Sequence, residues 1–198
     1  MKYIQFLLFL LISNLTFGQL SESDVLEKRK IHAEELGDST MGVLNAEEIS
    51  EFEGLDYFEF TSTFQIEATF TKKKGRRFKM PTSTDRLPVY RRYGLIQFTI
   101  NDSLYELEVY QNMAIRKEKG FKDYLFIPFR DNTSRNETYG GGRYLDVRIP
   151  EGKTLLLDFN LAYNPYCAYS YRYSCPIPPK VNTLNVSIQA GEKTPFGH

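Results

Sequence analysis

From residue 55 onward the apolar and polar positions alternate with a period of two, the mark of half-buried strands. Phe64, Ile66, Ala68 and Phe70 alternate with Gln65, Glu67 and Thr69, and Ile96, Phe98 and Ile100 with Gln97 and Thr99. Tyr105, Leu107 and Val109 then alternate with Glu106 and Glu108. Asn101-Asp102-Ser103 separates the last two runs, and such residues bond their own backbone in turns, so the pattern predicts a hairpin. Further strands are expected near 123–129, 143–149, 154–160 and 184–188. Short strands in series, broken by turn signals, predict a mainly β fold: one antiparallel barrel-like or sandwich-like domain. Ahead of it, residues 21–36 read as a helix, with Ser21 or Ser23 as cap, Glu22 and Asp24 in the first turn and Gly37 as a stop. Its narrow apolar stripe (Leu26, Ala33, Leu36) places it outside the β domain. A polar linker is expected from about Asp38 to Glu53.

The segments 143–149 and 154–160 carry a sharper inference. Leu145, Val147 and Ile149 share one face and Tyr144, Asp146 and Arg148 the other; Leu155, Leu157 and Phe159 oppose Leu156, Asp158 and Asn160. If the two strands form a hairpin, matching their apolar faces sets 147 opposite 157, with a five-residue loop from Pro150 to Thr154. Asp146 then faces Asp158, and Tyr144 faces Asn160. Cross-strand Cβ atoms lie roughly 4.5–5.5 Å apart, where like charges destabilise unless a shared proton, a cation or an arginine compensates. Arg130, Arg143 and Arg148 are near enough in sequence to do so.

At the other end, Lys2 precedes an almost wholly apolar run from Ile4 to Phe17, and Gly18-Gln19 suits cleavage. That run is shorter than the roughly 20 residues a bilayer span needs, so it reads as an export signal over residues 1–18. No second apolar stretch follows, so no stable membrane span is expected after its removal. Residues 19–53 form the helix and linker, and residues 54–198 the β domain. An oxidising destination favours pairing Cys167 with Cys175, which would add roughly 2.5 kcal/mol by closing a short loop. Two cysteines and two histidines make a zinc site improbable on composition.

Formal net charge is zero, so no global field draws the chain to nucleic acid or to an anionic membrane. The charge is nevertheless segregated. Residues 22–59 hold 12 acids against 3 bases, and residues 72–92 hold 9 bases against Asp85 alone. The basic stretch is compatible with a polyanion, with lysines guarding a strand edge, or with neutralisation by the acidic segment.

Residues 128–192 hold the least ordinary chemistry: Pro-Phe-Arg-Asp-Asn-Thr from Pro128 and Glu-Thr-Tyr-Gly-Gly-Gly-Arg-Tyr-Leu-Asp from Glu137. They continue with Leu-Asp-Phe-Asn-Leu-Ala-Tyr-Asn-Pro-Tyr-Cys-Ala-Tyr from Leu157 and Ser-Cys-Pro-Ile-Pro-Pro from Ser174. Asn182 and Ala190-Gly191-Glu192 close the run. This series resembles the bacterial and archaeal family labelled domain of unknown function 1684 (DUF1684). The resemblance covers residues 52–192, best in the last third, and is to the shorter form of the family. Tyr166 stands where many relatives have Pro. The resemblance implies one fold and a site location, but no reaction.

The residues define a candidate site where 131–146 and 158–166 converge. Asp146 and Asp158 would form the acidic pair, Arg143 would orient an anion, and Asp131, Tyr139, Asn160 and Asn164 would supply polar contacts. Such a pair suits either of two roles. One is a binding module, exported to the periplasm or beyond, for a small polar ligand or acidic glycan. The other is a small secreted hydrolase using Asp146 and Asp158 as acid and base. A divalent cation is possible and no organic cofactor is expected. A third reading makes the same residues a closed structural network. The triple glycine 140–142 lacks the Lys-Ser/Thr of a phosphate loop and reads as a tight turn.

Overall fold

A computed structural model of the chain describes residues 19–195; the expected export signal lies outside them. Helix α1 (Glu22–Gly37) starts at Ser21, whose side chain accepts the Asp24 N–H while the Asp24 carboxylate accepts the Ser21 N–H. That reciprocal arrangement satisfies two otherwise orphaned donors. The buried stripe is Val25, Arg29 and Leu36, whereas Leu26 is half exposed. The expected linker contains a second short helix, α2 (Ala46–Glu51), capped by Asn45.

Seven antiparallel strands form one curled half-barrel: β1 (Gln65–Lys72), β2 (Arg77–Lys79), β3 (Val89–Ile100), β4 (Ser103–Asn112), β5 (Tyr124–Phe129), β6 (Arg143–Arg148) and β7 (Thr154–Asp158). Their order is β6-β5-β4-β3-β1-β7, and β2 pairs with the first residues of β3. The β3–β4 hairpin matches the sequence expectation. Ile96 faces Leu107 and Phe98 faces Tyr105, and Asn101 and Asp102 turn the chain at φ 47° and 59°. Those left-handed angles are the ones a two-residue hairpin turn demands, and Asn and Asp tolerate them. β3 bulges between Arg92 and Gly94, where a Cβ on Gly94 would lie 2.6 Å from the Thr71 carbonyl oxygen. Residues 184–188, expected as a strand, instead form an irregular strap.

The hairpin expected between 143–149 and 154–160 does not form. β6 pairs with β5 over six positions and β7 with β1 over five, so the two are the opposite edges of the sheet. The face assignment holds: Leu145, Leu155, Leu157 and Phe159 enter the main core with Ile96, Leu107, Leu125, Ile127 and Phe129. Each strand buries its apolar face as well against a distant partner, Ile66 opposite Leu157 and Ala68 opposite Leu155. Separation also removes the like-charge pair that a hairpin would have created. Because β6 and β7 are joined only through the short segment 149–153, they part from there and leave a cleft between the sheet edges.

Candidate functional site

The cleft measures about 490 Å³, within the range of small-molecule sites. Leu145, Asp146 and Val147 of β6 form one wall and Leu156 and Asp158 of β7 the other; Lys28, Arg29 and His32 of α1 close over it. Leu20, Tyr57, Leu161, Tyr163 and Tyr166 complete the lining.

α1 is fixed over the gap mainly by Arg29. Its Nε and Nη2 donate to the Asn160 carbonyl oxygen at 3.1 and 3.0 Å, and its Nη1 donates to that of Phe58 at 2.9 Å. The guanidinium also lies 4.6 Å from the centre of the Tyr57 ring. Its donors are thus occupied, which makes it an anchor for the helix. His32 sits beside it, Nδ1 3.2 Å from the Tyr57 hydroxyl, and burial lowers its pKa, favouring the neutral ring.

The two aspartates of the expected pair share this cleft but differ in state. Asp158 is buried: Oδ2 accepts from Gln65 Nε2 at 2.8 Å, and Oδ1 accepts from the Asn160 N–H at 3.0 Å and its side-chain amide at 2.9 Å. Those bonds make it the cap of the 3-10 turn Phe159–Leu161. Asp146 is open to solvent, and two phenols hold it: Tyr124 donates to Oδ1 at 2.6 Å and Tyr163 to Oδ2 at 3.0 Å. Protein on its remaining sides raises its pKa through desolvation, against the two hydrogen bonds that lower it. Desolvation, reinforced by the neighbouring carboxylate, likewise raises both phenols, so they stay protonated as donors.

The other expected site residues lie inside the protein. Arg143 is 1% exposed. It donates through Nη1 to the Ala190 carbonyl and through Nη2 to that of Ile188 at 2.9 Å, and stands 3.5 Å from the Asp131 carboxylate. Asp131 in turn accepts from Thr133 Oγ1 and from the Ile188 N–H at 2.7 Å. Asn164 donates its N–H and side-chain amide to the Glu192 carboxyl at 3.0 and 2.9 Å, while Asn160 bonds both backbone groups of Thr61. Arg143, Asp131 and Asn164 lock the strap 184–193 onto the sheet. Gly142 permits the turn into Arg143: its φ is +93°, and a Cβ there would lie 2.6 Å from the Phe129 carbonyl oxygen.

Cys167 and Cys175 are free thiols, correcting the expected disulfide. The 3-10 turn Tyr166–Ala168 aims the Cys167 backbone N–H at the Cys175 sulfur, 3.2 Å away, and the sulfurs do not approach bonding distance. Tyr139, the remaining expected contact, lies beside these thiols; burial and Cys167 push its pKa up to about 12. Among the described residues no three His, Cys, Asp or Glu side chains converge as metal ligands.

Sequence reasoning missed Arg29, His32, Tyr57, Tyr124, Tyr163 and Glu192. A signal for the first two was present: Val25, Arg29, His32 and Leu36 recur at helical spacing, but two of the four are polar, so an apolar count skips them.

Comparison with known proteins bears on the family and the fold and adds no activity. No curated protein matches. The solution NMR structure of an uncharacterized protein from gene locus rrnAC0354 of Haloarcula marismortui is 32% identical, covering 89% of this chain and 96% of its own, with a TM-score of 0.68. The model of the protein family of unknown function DUF1684 matches residues 50–193, and the chain belongs to that family.

Proposed function

We propose that the protein is an exported binding module that holds a small amphipathic molecule in the cleft between β6 and β7. The observation that carries this reading is Asp146: a solvent-accessible carboxylate, gripped by two tyrosine hydroxyls, at the polar end of a cleft with Leu145, Val147, Leu156 and Leu161 in its walls. A carboxylate in that position favours a ligand with an ammonium or another strong donor, and the aliphatic walls favour an apolar body. An acidic glycan fits less well, because the accessible carboxylate among those walls is Asp146, and the one exposed base of the lining, Lys28, lies on α1 across the cleft. Export rests on the apolar run from Ile4 to Phe17 behind Lys2. Paired-carboxylate hydrolysis has less support, since Asp158 spends both oxygens on Gln65 and Asn160.

Calorimetric titration with octylamine tests the reading. The wild type should bind it at least about tenfold more tightly than butylamine, since each added methylene contributes about 0.8 kcal/mol when buried. Asp146→Asn should lose about tenfold or more in affinity for octylamine, the loss of one charge-assisted contact. Equal binding by the wild type and Asp146→Asn would remove the basis for the proposal.

A further inference from the structure

The uncompensated charge lies elsewhere on the sheet. Arg77 of β2 stands directly opposite Arg91 of β3, a like-charge pair that costs stability. The segment 114–122 adds four bases against Glu118 alone, and it is joined to β3 by the Met113 N–H donating to the Val89 carbonyl at 2.9 Å. Two surface grooves meet there. One, about 500 Å³, is lined by Arg77, Arg86, Arg116 and Lys117 without a carboxylate. The other includes Lys74, Arg91, Arg116 and Lys122, and its acids are Asp123, which pairs with Arg148 at 2.9 Å, and Glu151. Among the described residues none of these seven bases makes an ion pair, and the Arg116 Nε is shielded from water without an acceptor. Among the described residues no ion pair joins an acid of the N-terminal segment to these bases; Glu34, Glu48 and Asp56 pair instead with Lys30, Arg172 and Lys193.

Protection of a strand edge accounts for Arg77 and Lys79 on short β2. It does not account for Arg86, Arg116 and Lys117, which lie off the ladder. Nor does it account for what lies among them: Val89 and Ile115 line the first groove and are 41% and 38% exposed, and Leu87, two residues before Val89, is 47% exposed. A soluble polyanion has no use for exposed aliphatic side chains. An anionic bilayer uses both, taking the aliphatic tips below the headgroups and the bases among the phosphates.

We propose that the face formed by β2, the start of β3 and residues 114–122 docks on an anionic lipid surface. Leu87, Val89 and Ile115 enter the interface, and Arg77, Arg86, Arg116 and Lys117 contact lipid phosphates. The inference is independent of the cleft.

Flotation of the chain from Gln19, without the apolar run read as an export signal, tests it, using vesicles of phosphatidylcholine alone and of a seven-to-three mixture of phosphatidylcholine and phosphatidylglycerol. The wild type should partition onto the mixed vesicles, less so at raised salt, and only weakly onto neutral ones. Arg86→Gln and Arg116→Gln should each lower partitioning about fivefold, the contribution of one base near such a surface. Ile115→Ser should weaken it at low and high salt alike, because an apolar contact is not screened. Arg91→Glu should also weaken partitioning while raising the melting temperature, since it turns the Arg77–Arg91 clash into a pair. Equal binding to neutral vesicles, partitioning unchanged by these variants, or retention on dextran sulfate without vesicle binding would each overturn the proposal.

Discussion

Asp146 and Asp131 sit at comparable places, one on β6 and one just after β5, yet their surroundings have opposite character. Asp131 is sealed: Arg143, Thr133, Ser134 and the Ile188 N–H use its oxygens, and nothing of it is left for a ligand. Asp146 has only two phenols, neither of them charged, and an open side onto the cleft. The difference follows from the sheet. β6 is an edge strand, so residues at its middle look into the gap that β7 leaves, whereas the strap 184–193 covers the end where Arg143 sits. A buried polar cluster with its partners in place fixes a fold, and an accessible one with spare acceptor capacity can bind.

The contrast predicts its largest effect at Arg143. Arg143→Leu removes one side of a buried ion pair and frees the Ile188 and Ala190 carbonyls, which should cost about 3–5 kcal/mol in urea unfolding. An unchanged midpoint would place the strap's anchorage elsewhere.

Glu192, within the same sealed cluster, should give the next effect. Burial raises its carboxyl from 4.5 to about 8, although Asn164 and Arg143 pull the other way. Between those values the folded chain holds a proton that the unfolded chain has released, so stability falls as the pH rises. Its contribution is full below the unfolded pKa and lost as the pH passes 8. Melting temperature should therefore decline by several degrees from pH 5 to pH 8, and Glu192→Gln should flatten that slope. A parallel slope in the variant would assign it to another group.

Asp158→Asn should cost only about 1–2 kcal/mol, the loss of a turn cap and one hydrogen bond to Gln65, and should leave octylamine affinity within about twofold. Asp146→Asn should change stability least, by under about 1 kcal/mol, because the amide oxygen still accepts from one phenol and, at an open site, water can take the other. Its effect should fall on binding. Octylamine affinity in the wild type should also weaken on acidification, starting at a higher pH than an ordinary aspartate would give, because desolvation raises the Asp146 pKa.

Much of the fold was legible because period-two alternation reports directly on which face is buried. It gave the β3–β4 hairpin with its Asn101-Asp102 turn and the apolar faces of β6 and β7. What alternation cannot encode is the partner: a strand with a matching apolar face packs as well against β1 or β5 as against its neighbour in sequence. The expected Asp146–Asp158 opposition failed for that reason, and the cleft exists because it failed. The cysteines illustrate a related limit. Proximity in sequence brought Cys167 and Cys175 together, but with the turn at 166–168 a backbone N–H reaches the Cys175 sulfur and the two thiols stay in hydrogen-bond contact, short of a bond. Composition also hid the buried stripe of α1, where Arg29 occupies a position that an apolar pattern reserves for a leucine.

The central claim, that the open edge of the sheet is the binding region and the sealed cluster is not, is tested most directly by mapping amide NMR shifts while octylamine is added. The account predicts perturbations concentrated on Leu145, Asp146, Val147, Leu156 and Tyr163, absent in Asp146→Asn, with Thr133 and Ile188 unmoved. Shifts centred on the strap 184–193, or an identical map in the variant, would contradict it.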